Sequence, residues 1–174
     1  MHRIFLGLAV TVGSLLVVTL FSGFLVPSGQ GGALHDLHFL LGLLTVMATL
    51  LIHSIAFTYF LGTGKWVKEV VRVYQLPPWV WSQAVKNKRR AFPFELASML
   101  LIGATSWLGA AADTRRALNA TYSYWHLMVA SATLAFNLGA FVVEYVSILA
   151  QARLLLEVKD QADRLREARA SGAA

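Results

Sequence analysis

Four long apolar stretches, separated by short polar segments, dominate the pattern along this 174-residue chain. Each contains roughly 20 residues or more, the length an α-helix needs to cross the ~30 Å hydrocarbon core of a bilayer. The pattern therefore predicts four membrane-spanning helices, over residues 4–26, 33–61, 92–112 and 122–150. The predicted fold class is an all-α bundle of four transmembrane helices.

Two further segments have a mixed pattern. In residues 62–91, charged residues such as Lys65 alternate with apolar ones such as Trp66 at helical spacing, which predicts an amphipathic helix lying at the membrane interface. This helix is either separate from helix two or continuous with it, and Pro77-Pro78 ends it. In residues 151–174, charges of both signs alternate with leucines, which predicts a cytosolic helical extension of helix four. We therefore divide the chain into a transmembrane domain, 1–150, and a cytosolic tail.

Composition supports the membrane class and narrows the chemistry. Hydrophobic residues make up 57% of the chain and charged residues 14%, and the mean hydropathy is +0.60. The absence of cysteine excludes disulfides, thiolate metal sites, iron–sulfur clusters and a cysteine nucleophile. Any metal or haem iron must therefore be bound by His, Met, Tyr or a carboxylate.

The chain has a net charge of +6, and the positions of its basic residues indicate the membrane topology. Of the 15 lysine and arginine residues, 13 lie at the N-terminus, in the segment between helices two and three, or after residue 150, and only Arg115 and Arg116 lie elsewhere. The positive-inside rule then places both termini in the cytoplasm. With no cysteine and no targeting segment, we expect a multi-pass protein of the bacterial inner membrane, in contact with lipid and not with nucleic acid.

Helix two carries three of the five histidines, His35, His38 and His53. At ~100° per residue, His35 and His53 point in nearly the same direction, and His38 and Gly42 lie within about 60° of it. Ionisable groups at membrane depth usually face a bundle interior, a cavity or a cofactor. This face of helix two is therefore the predicted functional face.

Helix four carries one histidine, His126, whose distance from the start of its helix matches that of His38 in helix two. The predicted topology makes helices two and four parallel, and His38 and His126 each lie about five residues from the start of their helix. Two imidazoles at one depth in an apolar bundle are the axial ligands that six-coordinate haem b requires. Gly42, one turn below His38, would leave room for the flat macrocycle, and His35 could replace either ligand.

This arrangement resembles, in plan only, the four-helix membrane b-type cytochromes, in which histidines on two helices bind one or two haems within a bundle. The resemblance implies one haem between His38 and His126. A second haem would need a ligand opposite His53, and the matching position of helix four is Phe141. Met99, Glu144 or His53 of a second copy of the chain would then supply that ligand, or the inner iron would remain five-coordinate.

The position of His53 can also be explained without a bound metal. Glu144 lies within one turn of its depth, so the two can form a buried hydrogen-bonded pair. Such a pair is either structural or a proton relay. A proton-conducting or transport protein that uses this line of residues is a weaker alternative, because no helix is broken at its midpoint.

Two functions remain in view. The first is an electron-transfer subunit that exchanges electrons with quinol through haem b. The second is a non-catalytic scaffold or accessory subunit, because helix three carries a run of small residues between Gly103 and Ala111 that suits contact with partners or with another copy. The cytosolic tail suits the same role. A stand-alone enzyme fits poorly, because the chain has neither a phosphate-binding loop nor a zinc-binding H-E-x-x-H motif.

Overall fold

The structure, a computed structural model, describes residues 1–26, 32–114 and 119–171, apart from the side chain of residue 119. These residues form four α-helices and no strand: α1 (His2–Phe24), α2 (Ala33–Tyr74), α3 (Pro78–Thr114) and α4 (Asn119–Ala170). All four are long and apolar enough to cross a membrane. The predictions of an all-α fold and of four spanning helices are thus confirmed in length and composition.

The helices extend beyond the predicted spans. α2 ends at Tyr74 rather than residue 61, and α3 begins at Pro78 rather than residue 92. Gln75 adopts the left-handed conformation, φ 56°, that terminates many helices. Pro78 then starts α3, at a position where proline's fixed φ and missing N–H are harmless. Residues 62–91 therefore form a helical hairpin, in which the predicted amphipathic helix continues α2 and ends before Pro77-Pro78.

This hairpin has a small core of its own. Val67 of α2 and Val80 of α3 are buried together with Leu154 and Val158 of α4. Part of the apolar side of this segment is thus covered by the extension of α4, which continues without a break to Ala170. A helix pair with an apolar side is stabilised when a third helix covers that side.

The remainder of the bundle is closed by contacts of α1 with α2, α2 with α3, α3 with α4, and α4 with α1. α2 and α4 also meet across the centre, whereas the described residues of α1 and α3 do not touch. Phe5, Ile52, Phe60, Phe141 and Ile148 are among the residues of this larger core. Residues of α2 and α4 thus meet on the bundle axis.

The outer surface of the bundle is apolar, and several polar residues are buried in its interior. Leu40, Leu100 and Val142 are each more than 60% exposed on the outer surface. The buried residues of α4 include five polar ones among its described residues, Thr133, Asn137, Glu144, Ser147 and Gln151, each at most 1% exposed. An apolar outer surface with polar residues in the interior is typical of a bundle surrounded by lipid.

Candidate functional site

His38 and His126 meet between α2 and α4. Their ring centroids are 6.2 Å apart, and the ring planes make an angle of 79°. Both side chains are half-buried. The prediction that these two histidines face each other at one depth is therefore confirmed by the geometry.

A hydrogen-bond chain fixes the ring of His38. The Ser22 hydroxyl donates to the carbonyl oxygen of Thr19 at 2.8 Å, so its oxygen accepts a proton from His38 Nδ1, 2.9 Å away. Nδ1 therefore carries the ring proton and Nε2 carries a lone pair. Among the described residues, none makes a hydrogen bond to that Nε2.

His126 is fixed in the same tautomer. Its Nδ1 lies 3.0 Å from the carbonyl oxygen of Thr105, which can only accept, so Nδ1 donates. Its Nε2 is likewise left with a lone pair and without a partner in the described part of the chain. A second hydrogen bond that orients the ring and sets its tautomer is the usual support of a metal-binding histidine.

Each histidine ring packs against a glycine of the preceding helix. A Cβ atom built on Gly23 would lie 3.1 Å from His38 Cε1, and one built on Gly109 would lie 3.0 Å from His126 Cε1. Any larger residue would push the ring away. Gly42, which we predicted to make room for a macrocycle, has open space beside it.

The two halves of the bundle repeat this arrangement. In each hairpin a threonine precedes a glycine by four positions, and a histidine on the next helix precedes a second threonine by seven. The hydroxyls of the two threonines bond to each other, at 2.6 Å in the first hairpin and 2.8 Å in the second. The residues are Thr19, Gly23, His38 and Thr45 in α1 and α2, and Thr105, Gly109, His126 and Thr133 in α3 and α4. The His38/His126 pair is thus built from two equivalent halves.

His35 has a different place. It lies in the first turn of α2, ahead of the apolar run, and its Nε2 contacts Asp113 of α3 at 3.0 Å while Nδ1 contacts Asp36 at 3.4 Å. With both nitrogens engaged, His35 ties α2 to α3 and does not join the His38/His126 pair.

His53 and Glu144 form the predicted buried pair. His53 Nδ1 lies 2.7 Å from Glu144 Oε1, and both side chains are fully buried. His53 Nε2 lies 2.9 Å from Asn137 Oδ1, and the ring stacks on Phe141 with centroids 5.4 Å apart. Both nitrogens of His53 are therefore engaged, and neither is left to bind a metal.

Glu95 of α3 is a further buried acid, 2% exposed, and it interacts electrostatically with Glu144 and His53. Its Oε1 has no hydrogen-bond partner, and the same holds for Glu144 Oε2 and the Ser98 hydroxyl. The predicted start of helix three at residue 92 would put Glu95 in the first turn of that helix. Because α3 begins at Pro78, Glu95 instead lies well inside the bundle.

A metal bound by side chains alone would need more ligands than the pair offers. In the described residues, no three His, Asp or Glu side chains come close enough to hold a metal ion. Comparisons with protein-family models, with curated proteins and with solved structures give no match to this chain. The functional argument therefore rests on the geometry of the His38/His126 pair.

Proposed function

We propose that this protein is a membrane electron-transfer subunit that binds one haem b through His38 and His126. The observation that carries the proposal is the paired geometry of these two side chains: rings 6.2 Å apart, each with Nδ1–H committed to a hydrogen bond. Histidines on two helices of a bundle are a common way to hold haem iron.

The separation of the rings suits two ligands of one metal. A metal–imidazole bond is ~2.0 Å long, and the ligating nitrogen lies about 1 Å from the ring centroid, so two opposite ligands place their centroids about 6 Å apart. The observed 6.2 Å agrees with this value. It exceeds the separation at which two neutral rings would stack closely.

The number of ligands favours haem over a bare ion. A structural zinc site uses four protein ligands and a catalytic one uses three. The pair offers two, and no third His, Asp or Glu joins it within the described residues. A haem supplies the other four nitrogens itself, so two histidines complete a six-coordinate iron.

The surroundings favour one haem and not two. The second site considered from the sequence requires a nitrogen of His53, but Glu144 and Asn137 occupy both. Removing either bond would leave a buried polar group without its partner, which costs about 1–3 kcal/mol. His53 and Glu144 therefore belong to a separate buried cluster.

The haem, when bound, would supply the one-electron chemistry. The residues of the chain set the conditions for it. Ser22 and the Thr105 carbonyl accept the Nδ1 protons, which increases the basicity of each Nε2 and holds each ring in one orientation. Gly23 and Gly109 allow the rings to lie close to the backbones of α1 and α3.

We place the protein in the bacterial inner membrane as a multi-pass protein, with both termini and the 62–91 hairpin in the cytoplasm. The distribution of basic residues supports this orientation. His38 and His126, near the N-terminal ends of α2 and α4, would then lie close to the outer face. A lipid-soluble quinol is the electron partner we propose, because it reaches the site from within the bilayer.

The test is haem content in the purified protein. We expect about one haem per chain, with a Soret band that disappears in His38→Ala and in His126→Ala. His35→Ala is the matched control, because it removes a neighbouring histidine of α2 that has no role in binding. A colourless wild-type protein from haem-replete cells would refute the proposal.

A scaffold or accessory role has its own support, and the two roles are compatible. Gly103, Ala104 and Ala110 of α3 are exposed, and a Cβ on Gly103 would meet no other atom. Small exposed residues let another helix approach closely. If this face binds a partner subunit or a second copy, Gly103→Leu will disrupt the assembly and leave the haem in place.

A further inference from the structure

A layer of polar side chains lies between α2, α3 and α4, well away from the His38/His126 pair. It consists of His53, Glu95, Ser98 and Glu144, all of them at most 2% exposed. Three of its oxygen atoms have no partner: Glu95 Oε1, Ser98 Oγ and Glu144 Oε2. A buried polar atom without a hydrogen bond is costly, so each of these atoms points to a bound water, ion or proton.

Packing alone does not require acids at these positions. Thr19 and Thr105 of the repeat are 86 positions apart, and the residue 86 positions before Glu95 is Ala9. His38 and His126 are 88 positions apart, and the residue 88 positions before Glu144 is Ala56. Both alanines are buried. The same fold thus accommodates a methyl group at each equivalent position, and the acids serve another purpose.

The charges in this layer do not balance without an added proton. The titratable side chains in this part of the core, among the described residues, are His53 and Tyr59 of α2, Glu95 of α3, and Glu144 and Tyr145 of α4, while the buried side chains of α1 are apolar. His53 Nε2 donates to Asn137 Oδ1, because the Asn137 amide donates to the Thr133 carbonyl. His53 is hydrogen-bonded to Glu144, and among the described residues no side chain makes a hydrogen bond or an ion pair with Glu95.

An uncompensated charge this deeply buried would be strongly destabilising. Among the described residues, no lysine or arginine pairs with either acid. Glu95 and Glu144 interact electrostatically, but no direct hydrogen bond joins them. A water molecule with two to four polar partners is the usual occupant of such a gap.

We propose that Glu95, Glu144, His53 and Ser98 form a buried proton-binding site, in which one exchangeable proton is held by the two carboxyls through bound water. The unpartnered oxygens of Glu95, Glu144 and Ser98 supply the contacts for that water. This site is separate from the haem site of the proposed function and does not depend on it.

The experiment is infrared spectroscopy of the full-length purified protein, titrated in H2O and in D2O. A protonated buried carboxyl gives a carbonyl stretching band that shifts on deuteration. We expect this band in the wild type, and its loss or displacement in both Glu95→Gln and Glu144→Gln. Glu157→Gln, which removes an exposed acid of α4, is the matched control and will leave the band unchanged.

Three results would overturn the proposal. These are the absence of the band in the wild type, its persistence in both variants, and its removal by Na⁺ at constant pH, which would show that the oxygens bind a cation instead. If a glutamine variant does not fold, Glu95→Ala and Glu144→Ala, which introduce the residue of the equivalent position, provide the same test. Because the band does not involve haem, a protein without haem would refute the proposed function alone.

Discussion

Replacing Gly109 by alanine tests the support of the His126 ring directly. The added Cβ would lie 3.0 Å from His126 Cε1, whereas ordinary contact begins at 3.4 Å. The ring must therefore move by at least 0.4 Å, the difference between these two distances. Metal–ligand distances tolerate deviations of only about 0.2 Å, so the displaced Nε2 can no longer bind at its best distance.

We expect Gly109→Ala to weaken haem binding by roughly 10–100-fold, the range seen when the groups that orient a metal ligand are changed. This corresponds to about 1.4–2.7 kcal/mol. The assay is haem retention during dialysis against a haem-binding competitor, followed by the Soret absorbance. Gly23→Ala, where the built Cβ lies 3.1 Å from His38 Cε1, is expected to act in the same direction.

Gly103→Ala provides the matched control, because it adds the same methyl group to α3 where no atom lies within 4 Å. It is expected to bind haem normally and to be more stable by about 0.5–1 kcal/mol, since glycine is unfavourable inside a helix. If Gly109→Ala and Gly103→Ala retain haem equally well, the close packing of the ring does not support a ligand, and the reasoning is wrong.

Further predictions concern the His38 ring, the first turn of α2 and the hairpin core. Ser22→Ala removes the acceptor of the His38 Nδ1 proton and is expected to cost about 1 kcal/mol, measured as lower haem affinity. Asp113→Asn removes one carboxylate partner of His35 and is expected to weaken the contact between α2 and α3 slightly, measured as a small fall in the thermal unfolding temperature. Leu154→Ala should destabilise the hairpin core by about 2–5 kcal/mol and expose it to proteolysis, whereas the exposed Leu156→Ala should have little effect.

The sequence was sufficient to predict the spanning helices and the meeting of His38 with His126. Hydrophobic length determines the first, because a membrane helix must satisfy its backbone within one continuous segment. The meeting of the two histidines follows from their positions along parallel helices, since residues at equal distances from the two helix starts lie side by side. The His53–Glu144 contact followed from the same comparison of depths.

The sequence was silent where burial depends on a distant element. The alternating pattern of residues 62–91 predicts a helix with an apolar side, but it does not indicate that the extension of α4 covers part of that side. Val158 lies far along the chain from Val67, and nothing local indicates that they share a core. The sequence also predicts that helix three begins at residue 92. Glu95 would then lie near the end of a helix, where burial is not expected.

The supporting groups of the site were missed for another reason. Ser22 and Gly23 lie at the end of an apolar helix, where a serine and a glycine are unremarkable in sequence. The repeat that identifies their role consists of a few residues on each hairpin, and the rest of the two halves differs. An offset comparison of Thr19, Gly23 and His38 with the second half would have found it.

The most direct test of the central claim is chemical rescue of one ligand. The claim is that His38 and His126 bind one haem iron from opposite sides. We expect His126→Gly to lose the low-spin, six-coordinate absorption spectrum and to regain it when free imidazole is added, because imidazole can occupy the space left by the side chain. A His126→Gly protein with the wild-type spectrum in the absence of imidazole would contradict the account.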